Sequence, residues 1–326
     1  MRPIFVVFYH FDRKVVLKII MDVPISLNPP PVRLRIIRDG AREADFNMAA
    51  DRYLLDCAAD NNQVILRIYS WLSPTITLGC MQKAEFLLDA KAMESIGVGW
   101  ISRLTGGRAV LHWNDLTYSF AFPISIVEMG RSISESYAVI GRCLSAGFQL
   151  AGVAAELHDS STEHGATAPR NLRLPCFCSP NRNEIMVHGR KLVGSAQKRT
   201  YRAVLQHGSI PLGRQFRRLG ELMAAPAEER EQLCKLLDLK CTCMRDIAPT
   251  VGENALAEYL AAGFARTLSF ERFEQSWTAQ ELIMIKQIID EKKHVFKHPT
   301  RQSADAASKT GKFPSLTARK STGSGH

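Results

Sequence analysis

Up to about residue 212 the apolar residues of this chain come in short runs punctuated by glycine, proline and serine; beyond it they recur at helical spacing. That change of period constrains the fold most. A period of two half-buries a strand, and a period near 3.6 lays an apolar stripe along a helix. Residues 32–38, 64–71, 75–78, 98–104, 116–122 and 153–157 predict strands. Residues 42–60, 85–96 and 133–151 predict helices among them, the first carrying Phe46, Ala49, Ala50, Tyr53, Leu54 and Cys57 on one face. Residues 216–224, 228–239, 253–268 and 279–293 predict four more helices, with acidic starts and basic ends that suit the helix macrodipole. Strands with interspersed helices followed by helices alone predict an α+β body with a helical C-terminal segment. One domain is placed at 31–297, with 213–297 its helical part. It lies between an extension, 1–30, and a basic tail, 298–326, rich in Ser, Thr, Lys and Gly and expected to be disordered.

The formal charge of +10 invites a nucleic-acid reading, so its location matters. Eight basic residues against two acidic in 291–326, and seven against two in 1–38, leave the intervening body close to neutral. The ends therefore read as solvated tails, and no nucleic-acid partner is expected. No apolar run approaches the roughly 20 residues of a membrane span. His10, Asp12, Arg13 and Lys14 interrupt the apolar N-terminus, which does not read as a secretory signal. Met21 is an alternative start, and a cytoplasmic location is expected. In such a reducing compartment the eight cysteines should mostly be free thiols. Cys57, Cys80 and Cys143 read as core or near-core residues. Cys176/Cys178 and Cys241/Cys243 form C-x-C pairs, a spacing that does not suit zinc, and no metal is expected.

The stretch 174–212 is the most informative chemically. A proline-bounded loop carries Cys176, a turn follows at His188-Gly189, and the returning strand runs through Lys191 to the small residues Gly194, Ser195 and Ala196. A thiol facing a lysine supplies a nucleophile and the cation that would lower its pKa, and small residues let a substrate approach the backbone. That is the outline of acyl-transfer chemistry. Upstream, Thr105, Gly106 and Gly107 form a turn whose N–H groups could meet a carbonyl or phosphate, although an ordinary glycine turn is the simpler reading. His112 reads equally as an acid/base or as a hydrogen-bonded structural residue.

Four motifs in order, Asn47-Met48-Ala49-Ala50, residues 73–79 (SPTITLG), residues 103–112 (RLTGGRAVLH) and residues 189–197 (GRKLVGSAQ), resemble the biotin/lipoate protein ligase superfamily over about residues 33–293. The resemblance implies a mixed β-sheet flanked by helices, like the catalytic domains of biotin and lipoate ligases and class II aminoacyl-tRNA synthetases. Pro175-Cys176-Phe177 ahead of the Lys191 motif, together with residues 206–209, looks like the cysteine-dependent octanoyltransferases of lipoate assembly. That resemblance implies transfer of an octanoyl or lipoyl group from an acyl carrier protein thioester to Cys176, then to a lysine of a lipoyl-domain protein such as glycine cleavage H protein, with no cofactor. It makes Cys176, with Cys178 as its rival, and Lys191 catalytic. Arg103, Thr105, Gly106, Gly107, His112, Gly194, Ser195 and Ala196 are the substrate-binding set, and Leu104 and Val110 would form an acyl slot. Arg103 and Arg108 would fix the loop or meet an acidic carrier. The alternatives are an ATP- and Mg²⁺-dependent lipoate ligase and an amidotransferase between protein lysines. Ser102, where the family often has a second arginine, weakens a paired-arginine clamp on an adenylate.

Overall fold

A computed structural model describes residues 6–11, 14–19, 32–126, 129–158 and 184–291. Two strands, β1 (Val6–Phe11) and β2 (Lys14–Ile19), pair antiparallel as a unit of their own. The rest forms a second unit from Arg33 onward. Its elements are β3 (Arg33–Arg42), α1 (Ala44–Asn61), β4 (Val64–Trp71), β5 (Thr75–Leu78), α2 (Ala90–Ser95), β6 (Gly99–Ser102), β7 (Val110–His112), β8 (Asp115–Pro123) and α3 (Ile133–Leu150). Then follow β9 (Glu156–Leu157), β10 (Ile185–Val187), β11 (Arg190–Lys191), β12 (Gly194–Arg199), β13 (Ala203–Pro211), α4 (Ala227–Lys240), α5 (Met244–Ile247), α6 (Glu253–Leu268), β14 (Glu271–Glu274) and α7 (Ala279–Glu291).

The central sheet has six strands in the order β12-β13-β8-β4-β3-β14, antiparallel from β12 to β4 and parallel from β4 to β14, so it is mixed as expected. Every residue of β8 and β13 is buried, which requires cover on both faces. Alternation sorts them. Tyr118 and Phe120 point toward Phe264 of α6, whereas Ala121 packs with Leu54, Leu55 and Ala58 of α1. On the first face α3 and α6 cross closely, because a Cβ at Gly263 would collide with Gly147 N and Cys143 O. Two small sheets complete the unit: β6-β5-β7 beside the α1 face and the antiparallel β11-β10-β9.

The C-terminal helices disperse. The 3-10 helix Arg214–Leu222 and α4 cover the small sheet through Phe216, Leu219, Leu233 and Leu237. Helix α6 lies on α3, and α7 lies on α1 through Ile285. Arg35 of β3 also clasps Glu281 of α7 with bonds of 2.5 and 2.8 Å.

Local differences from expectation have local causes. The helix expected at 85–96 is a 3-10 turn, Ala84–Phe86, followed by α2, because Asp89 caps α2 by accepting from Ala92 N and so interrupts the run. The strand expected at 153–157 shortens to β9. Cys80 is exposed, not near-core, since it sits just past Gly79 in a turn closed by Gln82 N on Gly79 O, whereas Cys57 and Cys143 are buried. The surface loop expected at 159–173, Cys176, Cys178 and the tail 298–326 lie outside the described residues.

Candidate active site

One cavity of about 370 Å³, mouth included, opens between the α1 face of the central sheet and the small sheet β6-β5-β7. Its floor follows from strand register. Gly194, Ser209, Thr117 and Tyr69 stand in one row across β12, β13, β8 and β4, and Ala196 and His207 stand beside them in the next row on the same face. Met48 of α1, Trp71, Thr77, Arg103, Val110 and His112 line the rest of the cavity.

Of the expected substrate-binding set, Arg103, His112, Gly194, Ser195 and Ala196 line this cavity, and Thr105, Gly106 and Gly107 do not. Val110 lines it, but Leu104, past the end of β6, packs toward the Leu54 and Cys57 core. Ser195 likewise turns its hydroxyl through the sheet to Tyr118 Oη at 2.9 Å, where burial pushes the phenol up to about 12.

Arg103 is buried and fastens the loop. It donates to Thr77 O (3.0 Å), Thr77 Oγ1 (3.2 Å), Thr105 Oγ1 (3.0 Å), Gly106 O (2.7 Å) and Arg108 O (2.9 Å). The glycine turn therefore points carbonyls at a guanidinium. Gly107, at φ +92°, also packs its carbonyl where a Cβ on Gly79 would be, so both positions need glycine. Arg108 is exposed on the surface.

His112 stacks on Trp71 with ring centroids 4.1 Å apart. Its Nε2 meets Thr77 Oγ1 at 3.0 Å and its Nδ1 meets Asp115 Oδ2 at 2.8 Å, so its polar atoms are engaged structurally. A second histidine, His207, is built the same way: Nε2 to Thr105 Oγ1 at 2.8 Å and Nδ1 to Asp51 Oδ2 at 2.6 Å. Sequence reasoning noted His207 within residues 206–209 but gave it no role, and it missed Asp51. The available signal was a histidine and an aspartate on otherwise apolar faces of a strand and a helix.

Lys191 lies three residues before Gly194 and is also buried. Met186 pairs with Lys191, so Glu184 sits diagonally across the hairpin on the same face. Its Oε1 accepts from Lys191 Nζ at 2.6 Å. This carboxylate was not anticipated, although a buried lysine calls for one. Among the described residues no group of three His, Cys, Asp or Glu side chains gathers to hold a metal, and no helix is long and apolar enough to cross a membrane.

A model of the lipoyl protein ligase A/B catalytic domain matches residues 43–265. The chain belongs to that family. Among its relatives, octanoyltransferase LipM of Kyrpidia tusciae is 35% identical over 266 residues, covering 79% of this chain and 97% of that protein. Octanoyltransferase LipM of Geobacillus kaustophilus is 33% identical over 258 residues, covering 78% and 93%. In fold, the family member resembles the lipoate protein ligase of Thermoplasma acidophilum, with a TM-score of 0.65 at 19% identity over 80% of this chain and 92% of that one. LipL1 of Plasmodium falciparum, solved with lipoate, gives 0.57 at 17% identity over 83% and 76%.

Proposed function

We propose that this protein is an octanoyltransferase of protein lipoylation. The observation that carries the reading is its 35% identity to an octanoyltransferase across 97% of that relative. The cavity suits the cargo, since Met48, Tyr69, Trp71 and Val110 offer an aliphatic chain an apolar enclosure. The ligase relatives share the fold at under a quarter identity, which speaks for architecture alone.

The reaction has two steps. The Cys176 thiolate attacks the carbonyl of an octanoyl thioester on an acyl carrier protein; a new C–S bond forms, the carrier's C–S bond breaks, and the carrier thiolate takes up a proton. The ε-amine of a lysine on a lipoyl-domain protein, such as glycine cleavage H protein, then attacks the Cys176 thioester. A C–N bond forms, the C–S bond breaks, and the amine's proton returns the enzyme to its thiol. Thioester exchange is nearly balanced and the amide lies downhill, so neither ATP nor another cofactor is required. Lys191 acts as the cation favouring the thiolate, with Glu184 holding its ammonium. Gly194, Ser195 and Ala196 leave room at the carbonyl end.

The test supplies purified protein with octanoyl acyl carrier protein and an apo lipoyl domain, without ATP. Octanoylated lipoyl domain is the expected product. Modification seen only with free lipoate, ATP and Mg²⁺ would make the protein a ligase, and transfer only from an already acylated protein lysine would make it an amidotransferase.

A further inference from the structure

Two buried chains of hydrogen bonds run along the cavity wall and meet at one guanidinium. Arg103 Nη1 reaches Thr77 Oγ1, which meets His112 Nε2, while His112 Nδ1 meets Asp115. Arg103 Nε reaches Thr105 Oγ1, which meets His207 Nε2, while His207 Nδ1 meets Asp51. These contacts join residues as much as 156 positions apart, and every member is buried.

The direction of each bond follows from donor inventory. A guanidinium only donates, so each threonine oxygen accepts from Arg103 and is left with its own O–H to give. On the other side of each ring a carboxylate only accepts, so Nδ1 carries the proton and donates it to Asp115 or Asp51, and a threonine O–H turned toward Nε2 makes that nitrogen the acceptor. The opposite tautomer would set a bare Nδ1 lone pair against a carboxylate. Asp115 and Asp51 keep their acceptor role because other donors share them: Thr117 and Ser209 on Asp115, Ser119 and Tyr69 on Asp51.

We propose that Arg103 is a positioning residue that, by donating to Thr77 and Thr105, turns both hydroxyls toward Nε2 of the cavity histidines, so that every ring nitrogen of His112 and His207 is engaged within the wall and none is left for the acyl slot. A wall made of polar residues thereby becomes apolar to an alkyl chain. The part concerning the chain rests on the octanoyltransferase reading; the tautomers do not. Loss of the guanidinium frees both hydroxyls to rotate and leaves Nε2 of each ring without a fixed donor. The site should then discriminate less between an octanoyl chain and one ending in a hydroxyl.

Long-range ¹H–¹⁵N correlation spectra of histidine-labelled protein test this, with His112→Gln and His207→Gln spectra assigning the two rings. In the unmodified protein both rings should show the proton on Nδ1 only. Thr77→Val should disturb His112 and spare His207, Thr105→Val should do the reverse, Thr105→Ser should restore His207, and Arg103→Gln should disturb both. If Arg103→Gln does not fold, the two threonine variants decide the matter. A merely structural arginine would lower stability and leave the surviving tautomers as they were. Nε2–H or doubly protonated rings in the unmodified protein, or a His207 signal unmoved by Thr105→Val, would overturn the proposal. In the transfer assay, Thr105→Val should narrow the kcat/KM preference for octanoyl over 8-hydroxyoctanoyl carrier about tenfold; an unchanged ratio would refute the specificity role. Absence of any transfer by the unmodified protein would count against the octanoyltransferase reading and leave the tautomer result standing.

Discussion

Replacing Lys191 by alanine should cost far more stability than removing a surface lysine, and it should move the reactive thiol as well. Lys191 Nζ and Glu184 Oε1 are 2.6 Å apart, with side chains 3% and 4% exposed. At an effective dielectric of about 20 the gross attraction is on the order of 6 kcal/mol, much of it offset by desolvation of both ions. Removing the ammonium alone leaves the carboxylate buried beside an alanine, a change that typically costs about 3–5 kcal/mol. For a body of this size that is a fall in melting midpoint of roughly 6–20 °C. Glu184→Gln keeps shape and an acceptor and should cost less, about 1–3 kcal/mol. Lys191→Met with Glu184→Leu should recover much of the loss, since an apolar pair carries no desolvation penalty. Urea and thermal unfolding would read these out, with Lys235→Ala, in an exposed pair with Glu231, as a control that should leave the midpoint in place. The chemistry adds a sign. In iodoacetamide alkylation against pH, Lys191→Ala should move the reactive thiol to higher pH, and Glu184→Gln, which removes the opposing negative charge, should move it lower. Stability unchanged by Lys191→Ala, or shifts of the same sign in both variants, would refute the reasoning.

Glu281 predicts an acid response in α7: burial pushes its carboxyl up, but Arg35 and Thr278 N–H outweigh this and hold it below the ordinary range. A depressed folded pKa contributes stability above the unfolded value, near 4.3, and loses it as pH falls through the folded one, so the amide protection factors in 279–291 should fall at acidic pH and fall less in Glu281→Gln. Gly263→Ala should destabilise by about 1–3 kcal/mol in urea unfolding, because its methyl would meet the backbone of α3; a neutral result would mean the helices separate easily. Among the described cysteines, peptide mapping after brief alkylation should find Cys80 modified ahead of Cys57 and of Cys143, whose thiol burial pushes up to about 12.

Much of the fold was legible because it depends on near neighbours in sequence. Period and turn residues located α1, β4, β5, β8, α3 and the hairpin at His188-Gly189, where both residues take positive φ. The short polar strand β14 was not legible, since Glu271 to Glu274 carries no apolar alternation and becomes a strand only by pairing with β3. In the site, the local resemblance located Arg103, His112 and residues 194–196, all of which line one cavity. It gave His207 no role and did not reach Asp51 or Glu184, because their meaning lies in partners: Thr105 is 102 positions from His207, and Glu184 faces Lys191 only through the register of β10 and β11. Arg103 was read both as a substrate or carrier contact and as a residue fixing the loop; its burial and its bonds to the glycine turn, which are tertiary facts, bear out the loop-fixing role.

The proposed two-step transfer requires an acyl-enzyme at Cys176. Intact mass measured after incubation with octanoyl acyl carrier protein alone should rise by one octanoyl group, reverse with hydroxylamine, and map to Cys176, with Cys176→Ser blocking it and Cys178→Ser retaining it. No mass gain, or a hydroxylamine-sensitive group that survives Cys176→Ser, would contradict it.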